Sequence, residues 1–185
     1  MSATTAGSAT IQLRLRDLAQ LFNSMDPSPF HERDLDADAE EFIVGWAREH
    51  VKDHREFELE IHLSEPPPRE RAAGVEEALQ HYFRLRSETK EWEFRQLMRR
   101  GRMSLIVGLA FLAGCFFVGE LVARLGYRTA AELIRESLTI GGWVAMWRPL
   151  EIYLYDWWPL RDERRLLERL ARVRVRLILP ASQAS

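Results

Sequence analysis

MSLIVGLAFLAGCFFVG, residues 103–119, carries no charged side chain, and with the apolar residues that follow it reaches the roughly 20 needed to cross about 30 Å of hydrocarbon as a helix. No polar stripe runs along it, so an apolar surround is expected on every side. A second apolar run, LTIGGWVAMW (138–147), is followed by Arg148, Pro149 and Glu151 before IYLYDWWP resumes. The reading is a membrane α-helical hairpin. Residues 103–125 form the first transmembrane helix and 126–130 an external turn, with Gly126 at the bend and Thr129 and Glu132 as a capping box. Residues 131–158 form the second helix, kinked at Pro149, whose missing N–H frees the Ala145 carbonyl.

The flanks set the orientation. Arg95, Arg99, Arg100 and Arg102 precede the first span, and Arg161, Arg164, Arg165, Arg169 and Arg172 follow the second. Between them Arg124, Arg128 and Arg135 are balanced by Glu120, Glu132 and Glu136. The excess of basic residues on the flanks predicts a multi-pass protein with both termini in the cytoplasm. Tyr153, Tyr155, Trp157 and Trp158 stand where an interfacial aromatic belt belongs.

Outward from the hairpin, residues 1–10 read as a disordered tail without the basic and apolar regions of a signal peptide. Residues 11–74 read as a cytosolic α+β region. Leu15, Leu18, Ala19, Phe22 and Met25 follow helical spacing, the DPSPF run makes a turn, and a second helix is expected from about Asp36 to His50. FELEIHL (57–63) alternates as a half-buried strand, and residues 65–74, with Pro66, Pro67 and Pro68, read as a stiff linker. Residues 75–102 are an amphipathic juxtamembrane helix running into the first span. Its near end is a stalk that lies against the sheet or pairs with copies of itself.

Residues 159–179 read as an amphipathic helix on the inner membrane surface followed by a strand, with a tail at 180–185. One strand is acidic on its outer face and the other basic, so 57–63 and 173–179 are expected to pair, parallel or antiparallel. The small α+β cytosolic domain is thus formed by both the N- and C-terminal regions.

A net charge of -2 gives no nucleic-acid footprint, and the single Cys115 excludes an internal disulfide or a cysteine metal site. Asp34, Asp36 and Asp38 alternate like the start of a calcium loop, but Ala39 stands where glycine is needed and Gly45 where the bidentate glutamate is needed. They read as helix capping. His50 and His54 make an incomplete zinc pair. No cofactor and no metal are expected.

Two motifs, DPSPFHERDLD (26–36) and GGWVAMWRPLEIYLYDWWPLRDERR (141–165), resemble a family of uncharacterised bacterial inner-membrane proteins with two spans, over most of the chain apart from the tails. The resemblance implies the bacterial cytoplasmic membrane and carries no catalytic role. It directs attention to Asp26, Pro27, Pro29, Arg33, Asp34, Arg148, Pro149, Glu151 and Asp156.

The functional expectation is a non-enzymatic, membrane-anchored assembly or interaction module. Its partners are the lipid bilayer and either a second copy or another membrane protein, with small residues such as Gly108, Gly114, Cys115 and Gly119 at the interface. The alternative is a subunit of an oligomeric channel or transporter using intramembrane Glu120, Arg148 and Glu151. An enzyme would need the carboxylates of HERDLD and His31 to meet a partner from elsewhere. The candidate polar residues are therefore Asp26, Arg33, Asp34, Glu120, Arg148, Glu151 and Asp156.

Overall fold

The structure, a computed structural model, describes residues 8–51, 56–124 and 128–179. It is mostly helical with a small three-stranded sheet. In chain order the elements are β1 (Ser8–Leu15), 3-10 turns at Leu18–Leu21 and Phe30–Glu32, α1 (Ala37–His50), β2 (Glu56–Leu63), α2 (Arg69–Arg124) and α3 (Arg128–Glu151). A π-helical turn (Ile152–Asp156), α4 (Trp157–Leu170) and β3 (Arg174–Ile178) complete it. These group into two units, Met1–Lys90 with Asp162–Ser185, and Glu91–Arg161.

In the first unit the sheet order is β1-β2-β3, and both pairs are parallel. Parallel neighbours cannot be joined by a tight hairpin. The first connection is α1 with its turns, and the second is the whole excursion through α2, α3 and α4. Ile11 lies opposite Leu59, and Leu59 opposite Val175, so one apolar face crosses all three strands. Onto it pack Ile43 and Ala47 from α1, Leu79 and Phe83 from α2, and Leu167 and Leu170 from α4, all buried. The other face carries Thr10, Gln12 and Arg14, then Glu58, Glu60 and His62, then Arg174 and Arg176. The acidic middle strand faces the basic edge strand as expected, with Arg176 reaching Glu58 at 3.6 Å.

Four expectations are corrected here. The helix from Leu15 to Met25 is absent: Leu15 ends β1, and only the short turn at Leu18–Leu21 follows, because Ala9, Ile11 and Leu13 alternate as buried positions of an edge strand. Ser8 to Thr10 belong to that strand and not to a tail, while residues 1–7 and 180–185 lie outside the described residues. The linker stops at Pro68, since α2 opens at Arg69; its first turns bury Val75 and Ala78 in the core, so of the two readings of the stalk this part follows the one that lies against the sheet. Helix α4 does not rest its apolar face on a lipid surface, because Leu166, Leu167 and Leu170 are spent on the core. Of the two orientations left open by the sequence, the structure has the parallel one.

A polar clamp ties α1 to α2. Glu40 accepts from the Tyr82 hydroxyl at 2.7 Å and from Arg86 Nη2 at 2.8 Å. Burial, then the Glu40 hydrogen bond, raises the Tyr82 phenol above its ordinary value.

In the second unit α2 and α3 pack antiparallel. Gly101 meets Ile152, Gly108 meets Ala145, Met146 and Pro149, and Leu112 meets Gly142. Numbers rise on one helix as they fall on the other. Gly101, Gly108, Cys115 and Gly119 are buried on α2, with Leu105 and Leu112 half-buried between them, giving alternate steps of the 3.5-residue seam that helix pairs use. The backbones come close at Gly108, where an added Cβ would stand 3.2 Å from the Ala145 carbonyl oxygen. The turn expected at Gly126 lies outside the described residues. Arg128 is already helical, so Thr129 stands inside α3 and not at its cap.

Between the charged ends of the two helices the faces away from this seam are apolar and bare. Phe117 and Trp147 are each 71% exposed, and Val107, Phe116, Trp143 and Val144 are exposed alongside them. From Met103 to Leu121 the band on α2 rises about 27 Å at 1.5 Å per residue.

Removing residues 173–185 should strip β2 of a partner and the core of Val173, so limited proteolysis will cut within Glu56–Leu63 many times faster than in the full chain; unchanged cleavage there would contradict the sheet. Gly108→Leu should destabilise the helix pair by about 1–3 kcal/mol in detergent melts. Gly114→Leu, placed in open space, should be neutral or stabilising.

Candidate functional site

The candidate polar residues fall into two clusters, one in each unit, with Glu120 apart from both. In the hairpin unit the cluster forms around Pro149, whose ring is buried and comes within van der Waals distance of the position a Gly108 Cβ would take. Proline removes the donor that Ala145 would use. The chain recovers three residues later through the π turn Ile152–Asp156. That turn has a consequence for charge. Along a regular helix Asp156 would sit about 80° round from Arg148, and the wider turn takes up much of that angle.

Arg148 Nη1 accordingly reaches Glu151 Oε2 at 2.8 Å and Asp156 Oδ2 at 3.7 Å. The spacing of Arg148 and Glu151 was legible in the sequence; the link to Asp156 was not, because it depends on the π turn. Glu120 does not join them. It accepts from Arg124 at 3.2 Å, and the antiparallel register puts it at the opposite end of the apolar band from Arg148.

Just beyond the π turn, aromatic rings gather. Trp157 donates its indole N–H to the Tyr153 carbonyl at 2.8 Å, Trp158 lies 5.1 Å from it, and the Arg161 guanidinium sits 5.4 Å over the Trp157 ring. Amphipathic rings and a cation in this arrangement suit a boundary between an apolar medium and water.

In the sheet unit Asp26, Arg33 and Asp34 meet in one closed loop. Its neck is a bridge between Phe22 and Leu35, reinforced by Asn23 N donating to the Asp34 carbonyl at 2.8 Å. Inside, the Asp26 carboxylate accepts from the backbone N–H of Asp34 at 2.7 Å and of Ser28 at 2.9 Å. The Asp34 bond first, then Ser28, with Arg33 adding its charge, lower the Asp26 carboxyl to about 2.

Arg33 donates to the Ser28 carbonyl at 3.4 Å, and its Nε is buried with no partner among the described residues. Phe30 packs on Phe22 at 4.9 Å, and the His31 ring rests against Gly74 of α2, where an added Cβ would come within 3.0 Å of it. Asp26 is thus consumed by the backbone. Its carboxylate fastens the loop, and Asp34 takes part through its backbone N–H and carbonyl.

Asp36 caps α1 by accepting from Asp38 N at 3.1 Å, as expected of its position. Among the described residues no group of three or more His, Cys, Asp or Glu is placed to hold a metal ion. The His50 ring stacks on Trp46 at 3.9 Å, and His54 lies outside the described residues.

No protein-family model matches the chain, and no curated protein or solved structure matches it significantly.

The low carboxyl value of Asp26 gives a signed pH dependence. A carboxylate held below its unfolded value of 3.8 stabilises the loop above that pH and stops doing so as pH falls towards 2. Backbone amide exchange at Ser28 and Asp34 should be protected above about pH 4 and accelerate between there and pH 2. In the Asp26→Ala variant the loop should be cut by protease at neutral pH. A variant as resistant as the parent would remove Asp26 from this role.

Proposed function

We propose that this is a non-enzymatic integral membrane protein, crossing the cytoplasmic membrane twice, whose helical hairpin anchors a cytoplasmic assembly or interaction domain. The observation that carries the reading is the bare apolar band of α2. One helix is long and apolar enough to span, and only 17% of its apolar window is buried, against the mostly buried core helix of a water-soluble protein. Its length of about 27 Å matches the hydrocarbon thickness. A surface of this size left in water would be an aggregation site, so lipid, a second copy or both must cover it.

A second crossing is supported by connectivity. β2 precedes α2 and β3 follows α4, and the two strands are hydrogen-bonded neighbours. If α2 crosses, the chain must return before Arg174. α3 is the element available for that return, although its uncharged run between Glu136 and Arg148 is short. The Arg148 side chain bends towards Glu151 and Asp156, at the end of the band where Arg99, Arg100 and Arg102 lie on α2. This suits a cation snorkelling to the inner headgroups. The basic flanks then set both termini in the cytoplasm.

The small residues expected at contacts between copies have another use. Gly108, Cys115 and Gly119 are buried, with Gly108 against α3 itself, and Gly114 remains on an outward face. Association with a second copy or another membrane protein would then use Gly114 together with the exposed aromatic and branched residues of the band. The channel alternative is weaker, because Glu120 and the Arg148 cluster lie at opposite ends of the band and line no common path.

Single cysteines placed at Thr4, Gly126 and Ser182 in a Cys115→Ala background test the topology. Only the one at Gly126 should react with an impermeant thiol reagent added outside intact cells, and labelling of Ser182→Cys from outside would end the two-span reading. Native mass in lipid nanodiscs, read alongside, gives copy number and any stoichiometric partner. Arg148→Leu should lower the detergent melting temperature more than Glu151→Gln. The first leaves two carboxylates facing each other, whereas the second leaves Arg148 with Asp156.

A further inference from the structure

A cleft of about 580 Å³ opens at the N-terminal ends of β2 and β3, walled by the last turns of α4. Its volume falls within the roughly 300–1,000 Å³ of small-molecule sites. Arg165, Arg169, Arg172 and Arg174 share its lining with Glu56, Glu58 and Glu168, and the buried ring of Phe57 forms an apolar patch among them.

Those charges do not cancel. Glu168 is taken by Arg164 at 2.8 Å and Glu58 by Arg176 at 3.6 Å, both arginines from outside the cleft. Arg169 donates to the Val51 carbonyl at 3.0 Å, which braces that wall. Among the described residues Arg165, Arg172 and Arg174 are left with no carboxylate partner, and Glu56 is the one lining acid without an arginine. Several like charges drawn into one concavity repel each other, and beside an apolar wall their field is less screened than on an open surface.

We propose that this cleft binds a phosphate-bearing anion, with Arg165, Arg172 and Arg174 as donors. The guanidinium fork matches phosphate oxygens in pairs, and an anion there relieves the repulsion. The phosphate belongs either to a soluble compound or to a phospholipid headgroup. The inference stands whether or not the hairpin crosses a bilayer.

The test uses the full chain in a phosphate-free maltoside detergent, titrated calorimetrically with inorganic pyrophosphate at about 0.1 M salt. Binding of one equivalent is expected, weakened as salt rises. Arg165→Gln with Arg172→Gln should loosen it by about tenfold or more, while Arg14→Gln, outside the cleft, should leave it unchanged. Neither cleft arginine has a carboxylate partner among the described residues, so the melting temperature of the double variant should match the parent. Arg165→Lys with Arg172→Lys should recover part of the affinity.

In parallel, nanodiscs of phosphatidylglycerol and of phosphatidylcholine are compared for protection of Arg165 and Arg172 from an arginine-specific reagent. Pyrophosphate binding lost in the glutamine variant supports a soluble ligand. Protection by phosphatidylglycerol alone supports a headgroup. The proposal is overturned if pyrophosphate binds more weakly than about 1 mM and neither lipid protects, or if the glutamine variant binds as the parent does.

Discussion

The hydrogen bonds between β2 and β3 are the constraint on which the remaining structure hangs. They join a strand from before the long helix to one from after the hairpin, and they are parallel, so no local turn could have made them. Every element between must take the chain away and bring it back. The antiparallel packing of α2 and α3 and the buried face of α4 each serve that return. The energy holding it comes from one apolar sheet face, where Leu59 and Ile61 are completely buried under three helices. At about 1.5–3 kcal/mol for each fully buried side chain, that face outweighs the surface pair of Arg176 and Glu58.

Much of this was legible in residue spacing. Strict alternation marked β2 and the charge logic marked its partner, and the break at Pro149 announced a disturbed helix. The first strand was misread because Leu15, Leu18, Phe22 and Met25 also satisfy a helical period. Ala9, Ile11 and Leu13, starting earlier in the chain, carried the competing signal, and tertiary pairing with β2 decided between them. The amphipathic pattern of α4 was read correctly as a pattern and assigned to the wrong surface. A moment along a helix reports that an apolar face exists and is silent about whether lipid or a sheet covers it. The union of Arg148 with Asp156 was beyond reach for a different reason, since a π turn has no composition of its own.

The hairpin shows how small residues are divided between internal and external use. Gly108 lets α2 approach the Ala145 carbonyl of α3 that Pro149 leaves without a donor, so the weak point of one helix is sheltered by the thinnest point of the other. A side chain at Gly108 would hold the helices apart at the very place where backbone polarity is exposed, whereas a side chain at Gly114 meets nothing. Spacing alone presented these glycines as equivalent. Contact distinguishes them.

The order in which the sheet is assembled has a consequence for synthesis. β1, α1 and β2 emerge from the ribosome before the hairpin, and β3 emerges last, so for most of translation the edge of β2 that β3 will cover stands open. Exposed edges recruit other chains, and charge is the usual defence. Glu56, Glu58 and Glu60 supply it on the waiting strand. On the proposed two-span reading, β3 can reach that edge only after the second helix has come back to the starting side. On that reading, closure of the sheet would act as a checkpoint on insertion, since a nascent chain with one helix left behind would keep an unpaired, acidic strand exposed.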